Sequence, residues 1–173
     1  MLSFVGRTAI ITGGSGALGK AYAADLAKRG CNIFLNDMPS SSVEAFAREL
    51  TSMGAKAVAN VEPLSAGEKI VEDCLKQFGK CDILINNAGN LRDKSFSKMA
   101  KEDWQSVLDV HLQGSFSMAH AVWPSMIQQK YGRIINIGSG AGLYGNFGQA
   151  NYSSAKMGLL GFTNTLAKEG VRL

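Results

Sequence analysis

Short apolar segments that alternate with amphipathic segments constrain the fold of this chain more than any other feature. Short apolar runs bounded by turn residues are typical of buried strands, and apolar residues that recur every three or four positions are typical of helices. The predicted strands cover residues 7–12, 32–36, 55–61, 82–85 and 133–137. The predicted helices cover residues 17–29, 43–53, 68–78, 102–129 and 150–169, with a bend near Pro124 in the fourth.

This alternation predicts an α/β fold with a doubly wound, Rossmann-like parallel sheet. Right-handed crossovers place a helix between consecutive parallel strands, and the helices then cover both faces of the sheet. The 173 residues, of which 46% are hydrophobic and 18% charged, suit one packed domain rather than a disordered chain. We therefore expect a single domain over residues 1–173, with its ligand beyond the carboxyl ends of the strands.

Charge, cysteine content and hydropathy exclude several classes of function. The net charge of +4 comes from lysines and arginines that are scattered singly, so no nucleic-acid surface is predicted. Cys31, Cys74 and Cys81 have no spacing typical of a metal site and are interpreted as reduced thiols. No apolar run approaches the roughly 20 residues of a membrane helix. We expect a soluble protein without a metal or membrane partner, whose modest positive charge suits a small anionic ligand.

A glycine-rich turn joins the first predicted strand to the first predicted helix. Residues 14–19 read Gly-Ser-Gly-Ala-Leu-Gly, and backbone N–H groups and the helix dipole in such a turn can hold a pyrophosphate. Asp37 follows the second strand at the distance expected of a carboxylate that accepts hydrogen bonds from an adenosine ribose. No arginine or lysine immediately follows Asp37, so a 2′-phosphate would be repelled without a basic partner and NAD is favoured over NADP. The alternative is a structural turn with Asp37 as a helix cap.

Three further motifs carry polar groups that can do chemistry. Tyr152 and Lys156 lie four residues apart in the last predicted helix and share one helix face, although a half-buried tyrosine beside a solvated lysine has the same spacing. Ser139 follows the fifth strand, where an ordinary turn hydroxyl is the alternative. Asn-Asn-Ala-Gly at residues 86–89 follows the fourth strand. Because the carboxyl ends of parallel strands share one edge of a sheet, we expect the two turns and Ser139 at that edge.

In this order and spacing, the motifs resemble those of the short-chain dehydrogenases/reductases from about Thr8 to the end of the chain. The resemblance implies hydride transfer with NAD and a catalytic set of Ser139, Tyr152 and Lys156, with Lys156 also holding the nicotinamide ribose. It implies cofactor contacts from Gly13, Ser15, Gly16, Leu18, Gly19, Asp37, Glu62, Leu64, Asn87, Ala88, Gly89, Tyr152 and Lys156.

The implied chemistry is consistent with elementary electrostatics. Tyr152 would act as general base in oxidation and as general acid in reduction, yet a free tyrosine, with a pKa of about 10, is almost never a phenolate at neutral pH. A change of about 3 pKa units takes about 4 kcal/mol, which an ammonium about 4 Å away supplies at an effective dielectric of about 20. Lys156 is suitably placed for this, and Ser139 would donate a hydrogen bond to the substrate oxygen.

A narrower resemblance, to the (3R)-hydroxyacyl-CoA dehydrogenase units of peroxisomal multifunctional enzymes of type 2, covers residues 87–93, 110–114, 131–136 and 142–152. It implies that (3R)-3-hydroxyacyl-CoA is oxidised with NAD in fatty-acid β-oxidation, in the peroxisome or otherwise in the cytoplasm, by a homodimer paired through the two long helices. Two alternatives stay open. One is a short-chain dehydrogenase that acts on a hydroxysteroid or other secondary alcohol. The other is a catalytically weak fragment that binds only NAD or a partner subunit.

Two stretches near the expected nucleotide site depart from the family pattern. Ala17 stands where the family has a glycine, and its Cβ would crowd the pyrophosphate or press on the helix. Glu62 and Leu64 flank Pro63, where relatives often have an aspartate and an apolar residue around the adenine. Pro63 has no N–H to donate, so we expect Glu62 to substitute as an acceptor.

The position of His111 is a further departure, because the broad family has a catalytic asparagine there. Its imidazole would either hold a proton-relay water beside Lys156 or act as an ordinary hydrogen-bonded helix residue. The family also continues past the helix of Tyr152, so the chain is interpreted as a partial domain whose C-terminal strands are missing and whose NAD binding and turnover are weak. Its last three residues, ending at Leu173, resemble a Ser-Lys-Leu peroxisomal address only loosely.

Overall fold

A computed structural model describes residues 2–39 and 42–171, and strands alternate with helices along these residues. The strands are β1 (Thr8–Thr12), β2 (Asn32–Asn36), β3 (Ala57–Asn60), β4 (Ile83–Asn86) and β5 (Arg133–Asn136). The α-helices are α1 (Ala17–Lys28), α2 (Val43–Ser52), α3 (Gly67–Phe78), α4 (Lys101–Leu108), α5 (Gly114–Gln128), α6 (Gly140–Tyr144) and α7 (Ala150–Gly170). A π-helical segment, Asp109–Gln113, follows α4, and 3₁₀ turns cover Leu64–Ala66 and Phe96–Lys98.

The chain forms two compact units. The first comprises residues 1–88 and 117–135, and the second comprises residues 89–116 and 136–173. The first unit holds β1 to β4 with α1, α2 and α3, and the second holds α4, the π-helical segment, α6 and α7. The glycine turn therefore belongs to the first unit, whereas Ser139, Tyr152 and Lys156 belong to the second.

The sheet has the strand order β3-β2-β1-β4-β5. The ladders of β1 with β2, of β1 with β4 and of β2 with β3 are parallel, and Ile10 is paired with Phe34 on one side and Leu84 on the other. Because the chain first moves outward from β1 to β3 and then returns to place β4 on the other side of β1, the crossover direction reverses there. Such a reversal opens a crevice at the carboxyl ends of the two strands, where ligands of doubly wound sheets bind.

Three central strands form the core of the first unit. All residues of β1 and β4 are buried, as are all but the first residue of β2, and Ile10, Phe34 and Leu84 are at most 1% exposed. Each such side chain contributes roughly 1.5–3 kcal/mol through burial. Continuous apolar burial is what a parallel sheet covered on both faces requires, and it confirms the predicted fold class.

The predicted helix over residues 102–129 is wrong in one respect, because the π-helical segment Asp109–Gln113 separates α4 from α5. A single π turn hardly changes the spacing of apolar residues along a helix, so the sequence pattern does not indicate it. Pro124 lies inside α5. The short helix α6 was not predicted, since Gly140 and Gly142 lower its intrinsic helix propensity.

The C-terminal residues 172 and 173 lie outside the described residues, and so does the predicted resemblance to a peroxisomal address. Within residues 2–39 and 42–171, no helix has both the length and the apolar character that a membrane span needs.

Candidate active site

The turn between β1 and α1 leaves the first backbone N–H groups of the helix without a side-chain cap. Gly16 precedes α1 with extended backbone, no side chain caps the helix, and no acidic residue lies in its first turn. The first N–H groups of a helix have no intrahelical acceptor and carry a partial positive charge. The turn therefore suits the phosphates of a dinucleotide, as the glycine pattern predicts.

Two glycines of this turn are required by close backbone contacts. A Cβ on Gly19 would lie 2.2 Å from the carbonyl oxygen of Gly13, so α1 packs directly on the turn. Gly13 has a φ of +63°, and a Cβ there would lie 2.8 Å from the Cα of Ala88. By contrast Ala17 and Leu18, the first residues of α1, are exposed. Glycine at positions 13 and 19 thus shapes the protein, and contacts of these residues with a cofactor remain predictions.

The carboxylate of Asp37 is tied to the glycine turn. One oxygen, Oδ2, accepts hydrogen bonds from the backbone N–H of Ser15 at 2.9 Å and from its hydroxyl at 2.6 Å. Oδ1 accepts the N–H of Met38 at 2.8 Å. A carboxylate has about four lone-pair directions, so these three bonds leave room for one from a ribose hydroxyl. Ser42 rather than Asp37 directly precedes α2, so Asp37 does not cap that helix, whereas its bonds to Ser15 are those of a residue that holds the turn before α1.

The turn after β4 is joined to the end of β1 by side-chain hydrogen bonds. Thr12 Oγ1 accepts the N–H groups of Asn87 and Ala88, each at 3.0 Å, and Asn87 Nδ2 donates to the carbonyls of Thr12 and Gly13 at 3.0 and 3.1 Å. The amide nitrogen of Asn87 thus holds two loop backbones together. Because the backbone N–H groups of Asn87 and Ala88 and the Asn87 Nδ2 are already used, any contact of these two residues with a cofactor would come from their other atoms.

Glu62 and Leu64 follow β3. The backbone of Glu62 is already committed, since its N–H donates to Asn60 Oδ1 at 3.0 Å and its carbonyl accepts from Asn36 Nδ2 at 2.8 Å. Leu64 begins a 3₁₀ turn and is half-buried. Only the side chain of Glu62 is left to act as the predicted acceptor.

In the second unit, Tyr152 and Lys156 lie one turn apart at the start of α7. Lys156 Nζ is 5.5 Å from the centre of the Tyr152 ring and donates to the carbonyl oxygen of Ile137 at 2.5 Å. Tyr152 is half-buried, and Lys156 is only 6% exposed. The structure thus brings the predicted pair together and excludes a solvated lysine.

Burial changes the acidity of Lys156. Loss of solvation disfavours the ammonium form and lowers the pKa of Lys156 from its ordinary value of 10.5 to about 8. No carboxylate among the described residues pairs with Lys156. At neutral pH this lysine is therefore largely a buried ammonium one helical turn from Tyr152, and its hydrogen bond goes to the carbonyl oxygen of Ile137 rather than to a carboxylate.

His111 lies in the π-helical segment with its ring edge-on to Tyr152 at a centroid distance of 5.1 Å. Its Nε2 is 2.9 Å from the carbonyl oxygen of Asn90 and 3.2 Å from the Asn90 N–H nitrogen. The shorter contact favours an Nε2–H that donates to the carbonyl, which makes Nδ1 the acceptor in a neutral ring. Burial also lowers the pKa of His111 below its ordinary 6.5, so the neutral form is the one to expect.

The Nδ1 atom of His111 is buried and has no protein partner among the described residues. Buried acceptors of this kind are commonly satisfied by an ordered water. The contact of Nε2 with Asn90 agrees with the role of His111 as a hydrogen-bonded helix residue. The Nδ1 atom without a protein partner agrees with the other predicted role, in which His111 holds a water. Gly89 closes this position, because a Cβ on it would lie 2.5 Å from His111 Cε1.

Ser139 precedes α6 with extended backbone, and its Oγ accepts the N–H of Ala141 at 3.2 Å. The hydroxyl thereby caps the short helix and uses one of its lone pairs. Its hydrogen stays free of that bond and can donate to a substrate oxygen, as predicted for Ser139.

Sequence reasoning did not single out Asn151, which is 0% exposed and next to Tyr152. Its side-chain amide donates to the carbonyls of Arg92 and Asp103 at 3.1 and 3.0 Å, and its Oδ1 accepts the N–H of Tyr152 at 2.8 Å. An asparagine in a first helical turn is a signal for such local bonding, but the long-range partners leave no mark in the sequence.

A cavity of about 400 Å³ lies in the first unit, away from the carboxyl ends of the strands, and is lined in part by Arg7, Lys80 and Tyr131. Its charged groups already have partners: Arg7 and Lys80 pair with Asp82, and the Arg7 guanidinium lies 3.6 Å from the centre of the Tyr131 ring. We interpret it as structural. In the described part of the chain no cluster of histidine, cysteine and acidic side chains could hold a metal ion.

A parallel Rossmann-like sheet with a glycine turn, and a half-buried tyrosine one helical turn from a buried lysine, are typical of one class, the dinucleotide-dependent oxidoreductases. The family model described as short chain dehydrogenase matches residues 7–172. The chain belongs to this family, whose members use NAD(P), and the predicted resemblance is confirmed.

Three relatives show which branch of the family the chain is similar to. It is 48% identical to the peroxisomal hydratase-dehydrogenase-epimerase of Neurospora crassa, over 99% of this chain and 20% of the relative. It is 48% identical to the peroxisomal multifunctional enzyme type 2 of Mus musculus, over 98% and 24%. The solved full-length multifunctional enzyme type 2 of Drosophila melanogaster matches with a TM-score of 0.88 and 43% identity, over 99% of this chain and 29% of that one. The chain thus spans less than a third of each.

Proposed function

We propose that this chain oxidises the 3-hydroxyl group of a (3R)-3-hydroxyacyl-CoA with NAD, and catalyses the reverse reduction, in fatty-acid β-oxidation. The observation that carries the proposal is the buried Lys156 ammonium one helical turn from Tyr152, 5.5 Å from its ring centre. The similarity to peroxisomal multifunctional enzymes supports the substrate class and a peroxisomal location.

The residues of the second unit have distinct roles in this reaction. The Tyr152 phenolate takes the hydroxyl proton, Lys156 stabilises that phenolate, and Ser139 donates a hydrogen bond to the substrate oxygen. Bound NAD would supply the acceptor for the hydride of C3. The C3–H and O–H bonds break as the carbonyl forms, so hydride and proton are both accounted for. His111 Nδ1 would accept a hydrogen bond from a water that passes protons beside Lys156.

We further propose that the cofactor is NAD and that Asp37 rejects NADP. The carboxylate faces the glycine turn and has a lone pair left for a ribose hydroxyl, whereas a 2′-phosphate would be repelled. Changing Asp37→Asn keeps an acceptor and removes the charge. We expect the NADP to NAD ratio of dissociation constants, measured by calorimetry, to fall about tenfold, or about 1.4 kcal/mol.

A matched control for this experiment is Glu49→Gln on the exposed face of α2. It removes the same charge away from the turn, and we expect its NADP to NAD ratio to equal that of the wild type. An unchanged ratio in Asp37→Asn would show that the carboxylate does not discriminate between the cofactors.

The substrate class is tested by the rate of NADH formation with a panel of alcohols. The panel contains (3R)- and (3S)-3-hydroxyacyl-CoA thioesters, a hydroxysteroid and a simple secondary alcohol. We expect the (3R)-thioester to be turned over fastest. Preference for the steroid or the simple alcohol would replace the proposal by the second candidate. NAD binding without turnover of any alcohol would replace it by the third, a fragment that only binds.

We also propose that two copies pair through the long helices. Three large apolar side chains of these helices, Phe116 of α5 and Met157 and Leu160 of α7, are 44–47% exposed and would be buried by a second copy. Sedimentation analysis of Leu160→Glu against the wild type tests this pairing. We expect a dimer that becomes a monomer in the variant, and equal masses would contradict the proposal.

A further inference from the structure

Asn151 has every hydrogen-bonding group of its side chain engaged by the surrounding backbone. The two hydrogens of Nδ2 go to the carbonyls of Arg92 and Asp103, and Oδ1 accepts the N–H of Tyr152. The residue is fully buried. A side-chain amide with both donors and its acceptor in use is fixed in orientation, because any rotation breaks at least one of three bonds.

These three bonds hold the helix start that bears Tyr152. The first N–H groups of a helix lack intrahelical partners, and the residue that precedes α7, Gln149, makes no side-chain cap. Asn151 supplies the missing acceptor to Tyr152 itself. At the same time it attaches this first turn to the segment around Arg92 and to α4 through Asp103.

We propose that Asn151 is a positioning residue for Tyr152, which sets the place of the phenol relative to Lys156 and His111. The proposal rests on the role of Tyr152 as general acid and base. Asn151 acts through the backbone N–H of Tyr152 and through the two carbonyls, and it touches no reacting atom. Its loss should therefore reduce kcat far more than it changes KM or cofactor affinity.

The segment around Arg92 is joined to the residues just before α7 by two other bonds that do not involve Asn151. The N–H of Lys94 donates to the carbonyl of Gly148 at 2.9 Å, and Gln149 Nε2 donates to Asp93 Oδ2 at 2.9 Å. These contacts keep the segments together in a variant at position 151. What such a variant loses is the fixed orientation of the helix start.

Asn151→Asp is the sharpest test because it keeps the size of the side chain and removes both donors. A carboxylate at this place would also face two carbonyl oxygens. Asn151→Ser keeps one donor and one acceptor and should recover part of the loss. Asn164→Asp, on the exposed side of the same helix, is the matched control.

We expect kcat for the (3R)-thioester to fall roughly 10- to 100-fold in Asn151→Asp, the range for a misplaced catalytic group. KM and the NAD dissociation constant should stay within about twofold, Asn151→Ser should lie between, and Asn164→Asp should match the wild type. The isotope effect with deuterium at C3 should grow, since hydride transfer becomes slower than product release. An unchanged kcat, or a kcat loss that only follows lost folded protein in circular dichroism, would overturn the proposal.

A readout without substrate separates this proposal from the proposed function. In protein with ¹³C-labelled tyrosine rings, the NMR signal of Tyr152 is assigned as the one absent in Tyr152→Phe. We expect it to shift and broaden in Asn151→Asp and to be unchanged in Asn164→Asp. If the wild type turns over no hydroxyacyl-CoA, the function fails while this signal still decides the positioning role. A Tyr152 signal identical in both variants contradicts that role whatever the substrate is.

Discussion

The glycine turn of the first unit and the tyrosine–lysine cluster of the second differ in how their polar side chains are satisfied. Around the turn, the side chains of Thr12, Asp37 and Asn87 form hydrogen bonds with backbone N–H and carbonyl groups of the neighbouring loops. In the cluster, the described residues include neither a protein partner for His111 Nδ1 nor a carboxylate paired with the buried Lys156.

This difference distinguishes polar groups with a structural role from polar groups that can take part in a reaction. A satisfied network stabilises one geometry, so the turn is a preformed cradle whose shape is set by close contacts. An unpaired buried cation costs stability, and it persists where a nearby charge must be stabilised during the reaction. Substitutions around the turn should therefore act on stability and binding, and those in the cluster on reactivity.

The largest effect is expected for Tyr152→Phe, which removes only the phenol oxygen. Without a base for the hydroxyl proton, we expect NADH formation to fall by about 10³-fold, within the range of general acid–base catalysis. The melting temperature and the NAD dissociation constant should change little. Tyr144→Phe, at an 89% exposed position, is the control and should keep full activity. Substantial turnover in Tyr152→Phe would remove this residue from the mechanism.

The cost of burying Lys156 predicts a pH-dependent stability. At 1.36 kcal/mol per pKa unit, the change from 10.5 to about 8 corresponds to about 3 kcal/mol. Below pH 8 the lysine is charged in both states and the full cost is present. Between pH 8 and 10.5 the folded state has released the proton that the unfolded state still binds, so stability rises with pH. Above 10.5 the cost is gone.

We therefore expect the wild type to gain about 3 kcal/mol relative to Lys156→Met between pH 7.5 and 10.5, as measured by chemical denaturation. Groups common to both proteins cancel in this difference. The Lys156 ammonium, which the proposed mechanism requires beside Tyr152, is lost over the same range, so activity should decline above about pH 8. A constant difference between the two proteins would show that Lys156 is solvated or paired in solution, and the contrast between the two regions would then disappear.

The sequence predicts the first region more fully than the second, for a physical reason. Strand β2 matches its predicted bounds, and the turn after β1 was placed correctly, because apolar runs and glycines act over a few residues. The burial of Lys156, the orientation of His111 and the bonds of Asn151 depend on chain segments far apart in sequence. Spacing alone could bring Tyr152 and Lys156 to one face, but it could not show that the lysine is buried.

A smaller effect, on the free energy of unfolding, should distinguish Gly19 from Gly89, which both lack room for a side chain. In Gly19→Ala the new Cβ meets the fixed backbone oxygen of Gly13, whereas in Gly89→Ala it meets the His111 ring at 2.5 Å. Backbone cannot yield without moving β1 or α1, so we expect Gly19→Ala to lose about 2 kcal/mol of unfolding free energy. A ring can turn away, so Gly89→Ala should lose less than about 1 kcal/mol.

The effect on kcat should have the opposite order, with the larger loss in Gly89→Ala, when each variant is measured under conditions in which it is fully folded. In Gly89→Ala a displaced His111 would leave its place against Tyr152, and we expect kcat at saturating NAD to fall several-fold. In Gly19→Ala the loss should be in NAD affinity, with kcat at saturating NAD close to that of the wild type. Gly140→Ala is a control for the added methyl, since no atom lies within 4 Å of its Cβ position. Should Gly89→Ala instead lose as much stability as Gly19→Ala with kcat intact, His111 would be a structural residue like those around the turn, and reactivity would rest on Ser139, Tyr152 and Lys156 alone.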